Sequence, residues 1–371
     1  MATIPNLNTL LAGRRGTRSR GARGGRAIPE NNDDDQTTEA VNNGRDKIIQ
    51  QTDGDATNSR RSAVALGYLD DSFAQELSVQ SEPVPRRYPI INRGTYVRTT
   101  AIDVLVKRFL RHEPEERKQI ISLGAGSDTR FWRFWTAAAS DKFAPVTYHE
   151  LDFESNVHQK RASTRNSKLV SDTTLQAQKG GWSYHLHALD LRELTSKSPP
   201  PIPFLDPDMP TLILSECCLC YLPPDTAASV LQYFTMNLKA ALGLVLYEPI
   251  RPLDPFGKTM VTNLASRGIH LQTLKRYGSL EAQRQRLRLA GFSDGQGARD
   301  VSQMYQADSW VTQAERERVE KLEWLDEVEE WKLLASHYCV AWGWRGEGFG
   351  EAWRGLQGER TSSEERDDGM G

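Results

Sequence analysis

Long apolar runs are absent from this chain. No stretch approaches the roughly 20 residues that a membrane-spanning helix needs, and the N-terminus lacks the charged-then-apolar order of a secretory signal. Cysteine is scarce, four in 371 residues, with three crowded at Cys217, Cys218 and Cys220. That is no disulfide framework, and it points to a reducing compartment, the cytoplasm, with the nucleus also open to the protein. Nor does the cluster read as zinc ligation: outside it only Cys339 remains, no His-rich segment partners it, and structural zinc wants four ligands. Buried free cysteines behave instead as small hydrophobes. An excess of one charge is missing too. Lys and Arg number 47 against 49 Asp and Glu, a formal net charge of −2, so no global field steers the chain toward nucleic acid or a membrane. The last absence is local. "IISLGAGSDTRFWRF", Ile120 to Phe134, opens like a dinucleotide-binding turn, but Thr129 stands where the third glycine of G-x-G-x-x-G belongs and Asp128 sits beside it.

What is present is ordinary globular stock, 38% apolar and 26% charged with nine tryptophans, diluted by polar ends. Residues 1–57, Arg/Gly-rich and then acidic, carry too little apolar surface to offset the entropy of ordering them and are expected to be a disordered tail. The Arg-Gly part reads as a solvated arm, with weak RNA binding or targeting as alternatives. Residues 346–371 read as a second tail. The 58–345 core is near the size at which single domains stop growing.

Within it, apolar runs predict five strands: "KQIISLGAG", "PVTYHELDF", "WSYHLHALDL", "PTLILSECCLCYL" and "LGLVLYEPI". Helical spacing in "TAIDVLVKRFLRH" and "DTAASVLQYFTMNLKAAL", the latter with Asp225 as a plausible cap, separates some of them. Alternation of this kind predicts a parallel, doubly wound α/β sheet. A helix ending at Gly291, a strand near "GARDVSQMYQ", a long acidic helix through "ERERVEKLEWLDEVEEWKLLASH" and a period-two strand "HYCVAWGWR" complete it. Five parallel strands finished by two more resemble the Rossmann-like, seven-stranded sheet of class I S-adenosylmethionine-dependent methyltransferases. Residues 58–110 are expected to fold as a helical lid over a core at 118–345. Ser155 to Gly181 and the proline-rich "SKSPPPIPFLDPDMP" read as surface loops.

In open α/β sheets ligands sit at the carboxyl ends of the strands. A pyrophosphate on the helix after the first strand would meet Asp128 without compensation. S-adenosylmethionine carries no phosphate; its sulfonium and ammonium tolerate acids. Glu150 and Asp152 end the second strand, Asp152 the nearer to the terminus and so the favoured ribose ligand. Asp190 and Leu191 after the third strand are candidates for the adenine, and Glu216 at the end of the fourth faces the space for a cation.

These segments together resemble the leucine carboxyl methyltransferase family, in a fungal-type form. The resemblance runs from about Ser59 to Arg345 and rests on "AVALGYLDD", "INRGTYVRT", "LGAGSDTRFWRF", "ELDF", "SECCLCYL", "SLEAQRQRL" and "LEWLDEVEEWKLLASHYCVAW". It implies methyl esterification of the C-terminal leucine of the type 2A protein phosphatase catalytic subunit, regulating assembly of that phosphatase, by a monomer using S-adenosylmethionine. It implies that Arg98 pairs with the cofactor's carboxylate, that Gly124 lets the backbone approach, and that Asp152, Asp190, Leu191 and Glu216 complete the cofactor site. The family's basic residue before "AVxxGY", usually lysine, is replaced here by Arg60, with Arg61 as its neighbour. A tRNA-modifying relative carries an additional C-terminal repeat domain that this sequence is not expected to include.

A terminal carboxylate, pKa about 3.5, is already ionised at neutral pH, so the chemistry needs alignment and desolvation rather than a general base. Tyr221 is the first candidate to hold that carboxylate, with Arg98 beside it; Tyr247 and Arg251 are further ones. The competing readings are a methyltransferase acting on tRNA or a small carboxylate, a non-catalytic phosphatase-binding protein, and a nicotinamide dehydrogenase. The charge balance argues against nucleic acid.

Overall fold

In the computed structural model the described residues are 34–78 and 86–356, with side chains from residue 44 onward. The chain runs α1 (Asp34–Ala65), α2 (Phe73–Glu76), α3 (Pro89–Arg111), β1 (Lys118–Leu123), α4 (Arg130–Asp141), β2 (Val146–Asp152), α5 (Glu154–Asn166), α6 (Lys168–Lys179) and β3 (Ser183–Ala188). It continues through β4 (Thr211–Glu216), α7 (Pro224–Asn237), β5 (Leu242–Pro249), α8 (Pro255–Ala265), α9 (Leu280–Leu289) and β6 (Gly295–Asp300). After these come α10 (Val301–Gln306), α11 (Gln313–Glu320), α12 (Val328–Ser336), β7 (Tyr338–Arg345) and α13 (Phe349–Ala352).

The strands form one sheet in the order β3-β2-β1-β4-β5-β7-β6. The pairs among β1 to β5 are parallel, and β7 runs antiparallel to both β5 and β6. This is the expected α/β class, with the chain winding outward in both directions from the β1–β4 pair. Successive strand residues feed opposite cores. Ile120, Leu212, Leu214 and Val245 pack under α3 and α4, whereas Ile121, Ile213, Leu244 and Leu246 meet α7 and α9. Both faces are buried, so the central strands read as continuous apolar runs. At the β3 edge His149, His185 and His187 stack on one another, and Phe204 stacks on His185 at 4.6 Å.

Several expectations are corrected. Residues 34–65 form α1, although the first 24 of these 32 residues were assigned to the first tail; residues 1–33 lie outside the described part. Composition underestimated this helix because polar contacts hold it: Asp46 pairs with Arg192 at 2.6 Å and Asp55 with Arg267 at 2.5 Å. Ile48 adds an apolar contact, so close to Gly268 that a Cβ there would lie 2.6 Å from its Cδ1. The second tail likewise begins too early. Phe349, Trp353 and Leu356 are buried, Phe349 stacking on Phe109 at 4.8 Å and the Trp353 indole donating to Leu105 O. Residues 357–371 are outside the described part.

Ser155 to Gly181 is not a loop but α5 and α6, the second capped by the Ser167 hydroxyl. The single long acidic helix is two, α11 and α12, parted at residues 321–327. Asp225 lies in the first turn of α7 without capping it; Pro223 holds the cap position.

Candidate active site

A cavity of about 600 Å³ opens at the carboxyl ends of β1, β2, β4 and β5, roofed by α1 and α3. That volume is within the range of small-molecule sites, roughly 300–1,000 Å³. Arg60, Arg98, Gly124, Asp152, Asp190, Leu191, Glu216 and Tyr221, which the sequence scattered over 162 positions, all line it. Tyr247 joins them; Arg251 does not, and pairs with Asp300 at 3.3 Å instead.

The glycine turn explains its own departures. Gly124 and Gly126 have φ of +60° and +48°, left-handed values that favour glycine, and a Cβ on Gly124 would lie 2.6 Å from Cys218 Sγ. Thr129, at the missing third glycine, is buried and donates its hydroxyl to Asp71 Oδ2 at 2.6 Å. Three carboxylates occupy the N–H groups that a phosphate would use. Gly126 N–H donates to Asp152 Oδ2 (2.6 Å), Ser127 N–H to Asp53 Oδ1 (2.9 Å) and Arg130 N–H to Asp128 Oδ1 (3.1 Å). An anion at this helix terminus would therefore meet charge of its own sign where a dinucleotide fold offers free donors.

Two residues apart, the paired acids share a face of β2 and are separated by depth, Asp152 being the last residue of the strand and Glu150 fully buried behind it. Asp152 faces the cavity, and burial raises its pKa against the bonds from Gly126 and Phe153. Glu150 lies deeper, away from the cavity, and accepts from Lys160 Nζ at 2.5 Å and the Tyr184 hydroxyl at 2.6 Å. The preference for Asp152 over Glu150 thus agrees with the placement. Between the two arginines, Arg60 reaches the cavity and bonds Asp71 at 3.2 Å, while Arg61 is turned away toward Gln75.

The cavity floor is a charge network in which sequence reading selected Arg98 and Glu216 but not Arg130, Arg133 or Asp103. Glu216 bridges two guanidinium groups: Oε1 accepts from Arg98 Nε, and Oε2 from Arg130 Nη1 at 2.6 Å. Arg130, 1% exposed at its side chain, also holds Asp103 at 2.9 Å and Asp128 at 2.8 Å. Arg133 pairs with Asp103 at 2.6 Å. Burial pushes the pKa values of Asp103, Asp128 and Glu216 up, but the arginines more than offset it and hold all three below the usual carboxylate range. For Arg130 and Arg133 the only sequence signal was the density of charge in "DTRFWR", which reads equally well as a solvated helix face; Asp103, within "TAIDVLVK", had none. Beside the network, Arg98 lies over the Tyr247 ring at 4.6 Å, and Tyr247 stacks on Tyr338 at 5.5 Å. Tyr338, a cavity residue the sequence gave no reason to select, lies on β7. Burial raises the pKa of Tyr221, Tyr247 and Tyr338, so all three present hydroxyl donors at neutral pH.

α1 supplies a further wall. Asp53 accepts from both the N–H and the hydroxyl of Ser127, and Thr57 bonds the same hydroxyl at 2.6 Å. Asp190 caps the turn beginning at Leu191 and holds Arg192 at 3.0 Å, which in turn reaches Asp46 of α1.

The donor set fits S-adenosylmethionine: acidic groups at the strand ends for ribose and cation, an arginine for a carboxylate, and a glycine turn closed to phosphate. Sheet order and site together define a class I S-adenosylmethionine-dependent methyltransferase.

Comparison with known proteins narrows this. The family described as "Leucine carboxyl methyltransferase" matches residues 48–235. The chain is 48% identical over 396 residues to "Leucine carboxyl methyltransferase 1" of Aspergillus fumigatus, covering 96% of this chain and 98% of that one. It is 49% identical over 375 residues to the protein of the same name in Emericella nidulans, covering 92% and 94%. Among solved structures, a putative methyltransferase from Thermobifida fusca overlaps 69% of this chain and 82% of its own at 16% identity, TM-score 0.44. The chain belongs to the leucine carboxyl methyltransferase family, and it is an enzyme.

Proposed function

We propose that the enzyme methylates the C-terminal leucine carboxylate of the type 2A protein phosphatase catalytic subunit, and thereby regulates assembly of that phosphatase. Family membership over nearly the whole chain supports a leucine carboxylate as acceptor. The observation that carries the reading within the structure is the convergence of Arg98, Glu216, Tyr221, Tyr247 and Tyr338 on one cavity. S-adenosylmethionine supplies an electrophilic methyl group when bound. Asp152, Asp190 with Leu191, Arg60 and Arg98 would hold it, Arg98 exchanging part of its contact with Glu216 for the cofactor carboxylate. Glu216 then remains anchored by Arg130 and keeps its charge toward the cationic end.

The acceptor carboxylate arrives ionised. In this reading Tyr221 donates a hydrogen bond to it, orienting one oxygen while α1 and α3 exclude water. Proton abstraction is not required, and the protonated tyrosines match that: they orient and do not act as bases. Four free cysteines accord with action in the reducing cytoplasm and the nucleus, where such a protein substrate would be met.

The test is methyl transfer from labelled S-adenosylmethionine to the phosphatase catalytic subunit and to a copy lacking its terminal leucine. Label in the intact protein alone, released by mild base as an ester, is expected. Label in neither, with cofactor binding intact, would overturn the acceptor and leave the cofactor assignment standing.

A further inference from the structure

The cysteine cluster has no part in the methyl-transfer chemistry, yet its placement is specific. Cys217 and Cys220 form a C-x-x-C pair immediately after β4, and they lie between two cavity residues: Glu216 precedes the pair and Tyr221 follows it. Cys217 is half-buried in the cavity wall, so a small oxidant entering the cavity meets its sulfur. Its backbone sits at φ +52°, a left-handed value that is strained for a non-glycine residue. Its N–H is tied to Tyr247 O at 2.9 Å. Cys220 is 1% exposed on the 3-10 turn Leu219–Tyr221, three residues on from Cys217, near enough for its thiol to act on the ionisation of Cys217. Cysteines three residues apart across so tight a turn can be brought to the roughly 2 Å of an S–S bond by side-chain rotation and a small shift of the turn. Cys218 is not equivalent: it packs against Gly124 under the glycine turn.

We infer that Cys217 and Cys220 are a redox modification site, forming a reversible disulfide that disables the cofactor cavity. Hydrogen peroxide is the oxidant. The Cys217 thiolate attacks one peroxide oxygen, the O–O bond breaks, and Cys217 becomes a sulfenic acid as water leaves. The Cys220 sulfur then attacks the Cys217 sulfur; hydroxide departs and takes the Cys220 proton as a second water. Two thiols are oxidised and one peroxide is reduced to two waters. The direction of attack follows from the surroundings. The hydrogen bond from Cys220 lowers the Cys217 pKa; burial opposes this and Arg98 assists it, whereas burial raises that of Cys220. Drawing Cys217 toward Cys220 pulls on Glu216 at one end and Tyr221 at the other. It also strains the 3-10 turn, whose Cys220 O accepts from Gln272 N–H at 2.8 Å.

The test uses the full chain with and without hydrogen peroxide. Iodoacetamide should find two of the four thiols protected afterward, and the peptide carrying both cysteines should lose the mass of two hydrogens. Calorimetry should show roughly a tenfold or greater loss of S-adenosylmethionine affinity, restored by dithiothreitol. Cys220→Ala should retain basal methyl transfer, form no disulfide, and accumulate a Cys217 sulfenic acid that dimedone captures. Four alkylatable thiols after oxidation, a bridge involving Cys218 or Cys339, or a disulfide that leaves cofactor affinity unchanged would overturn the inference. Because thiol counting needs no methyl acceptor, its failure is distinct from failure of the proposed reaction.

Discussion

Arg130 shows how a single side chain can organise a site without lining it. One guanidinium holds Asp103, Asp128 and Glu216. Removing it leaves three buried acids short of a counter-ion, so Arg130→Met is expected to lose about 3–5 kcal/mol of stability by urea unfolding. If Tyr221 holds the acceptor carboxylate as proposed, Tyr221→Phe should lower methyl transfer by about tenfold with cofactor affinity intact. Histidine gives a pH signature. Burial, then His187 and His185, lowers His149 to about 3, and burial lowers His187 to about 4. Unfolded histidines titrate near 6.5, so between those values the unfolded state binds more protons. Stability should therefore fall as pH drops from about 6.5 toward 4, and His149→Gln should flatten that slope in denaturant midpoints against pH.

At the scale of elements, α1 separates what composition shows from what structure uses. Its first 24 residues, 34–57, read as tail because they carry little apolar surface, yet Asp46 and Asp53 reach the cofactor cavity from them. Asp53→Ala should leave the fold intact and weaken S-adenosylmethionine binding by roughly tenfold in calorimetry, since Ser127 loses the acceptor of its N–H and one of the two partners of its hydroxyl. The strands were legible because burial on both faces leaves apolar runs that few other structures produce. Asp152 was legible because strand termini in such sheets face the ligand. Arg130, Asp103 and Asp53 were not: a charged residue on a helix looks the same in sequence whether water or a counter-ion solvates it. α5 and α6 were missed for a related reason, as their exposed faces dominate their composition.

For the whole molecule, the domain does not end where polar composition begins. Phe349, Trp353 and Leu356 close the core over α3 and β7. A chain ended at Arg345 loses all three, and loss of a buried tryptophan alone typically costs about 3–5 kcal/mol. Such a truncation should unfold at markedly lower urea concentration than a chain ended after Leu356.

The tethers of α1 have a kinetic consequence. Asp46–Arg192, Asp55–Arg267 and Asp55–Arg87 fasten the roof of the cavity through partly exposed ion pairs at 2.6, 2.5 and 3.4 Å. Added electrolyte screens contacts of this kind and leaves the buried floor around Arg130 largely untouched. Dissociation of spent cofactor should quicken as ionic strength rises, so turnover limited by product departure would speed up with moderate salt before affinity begins to suffer.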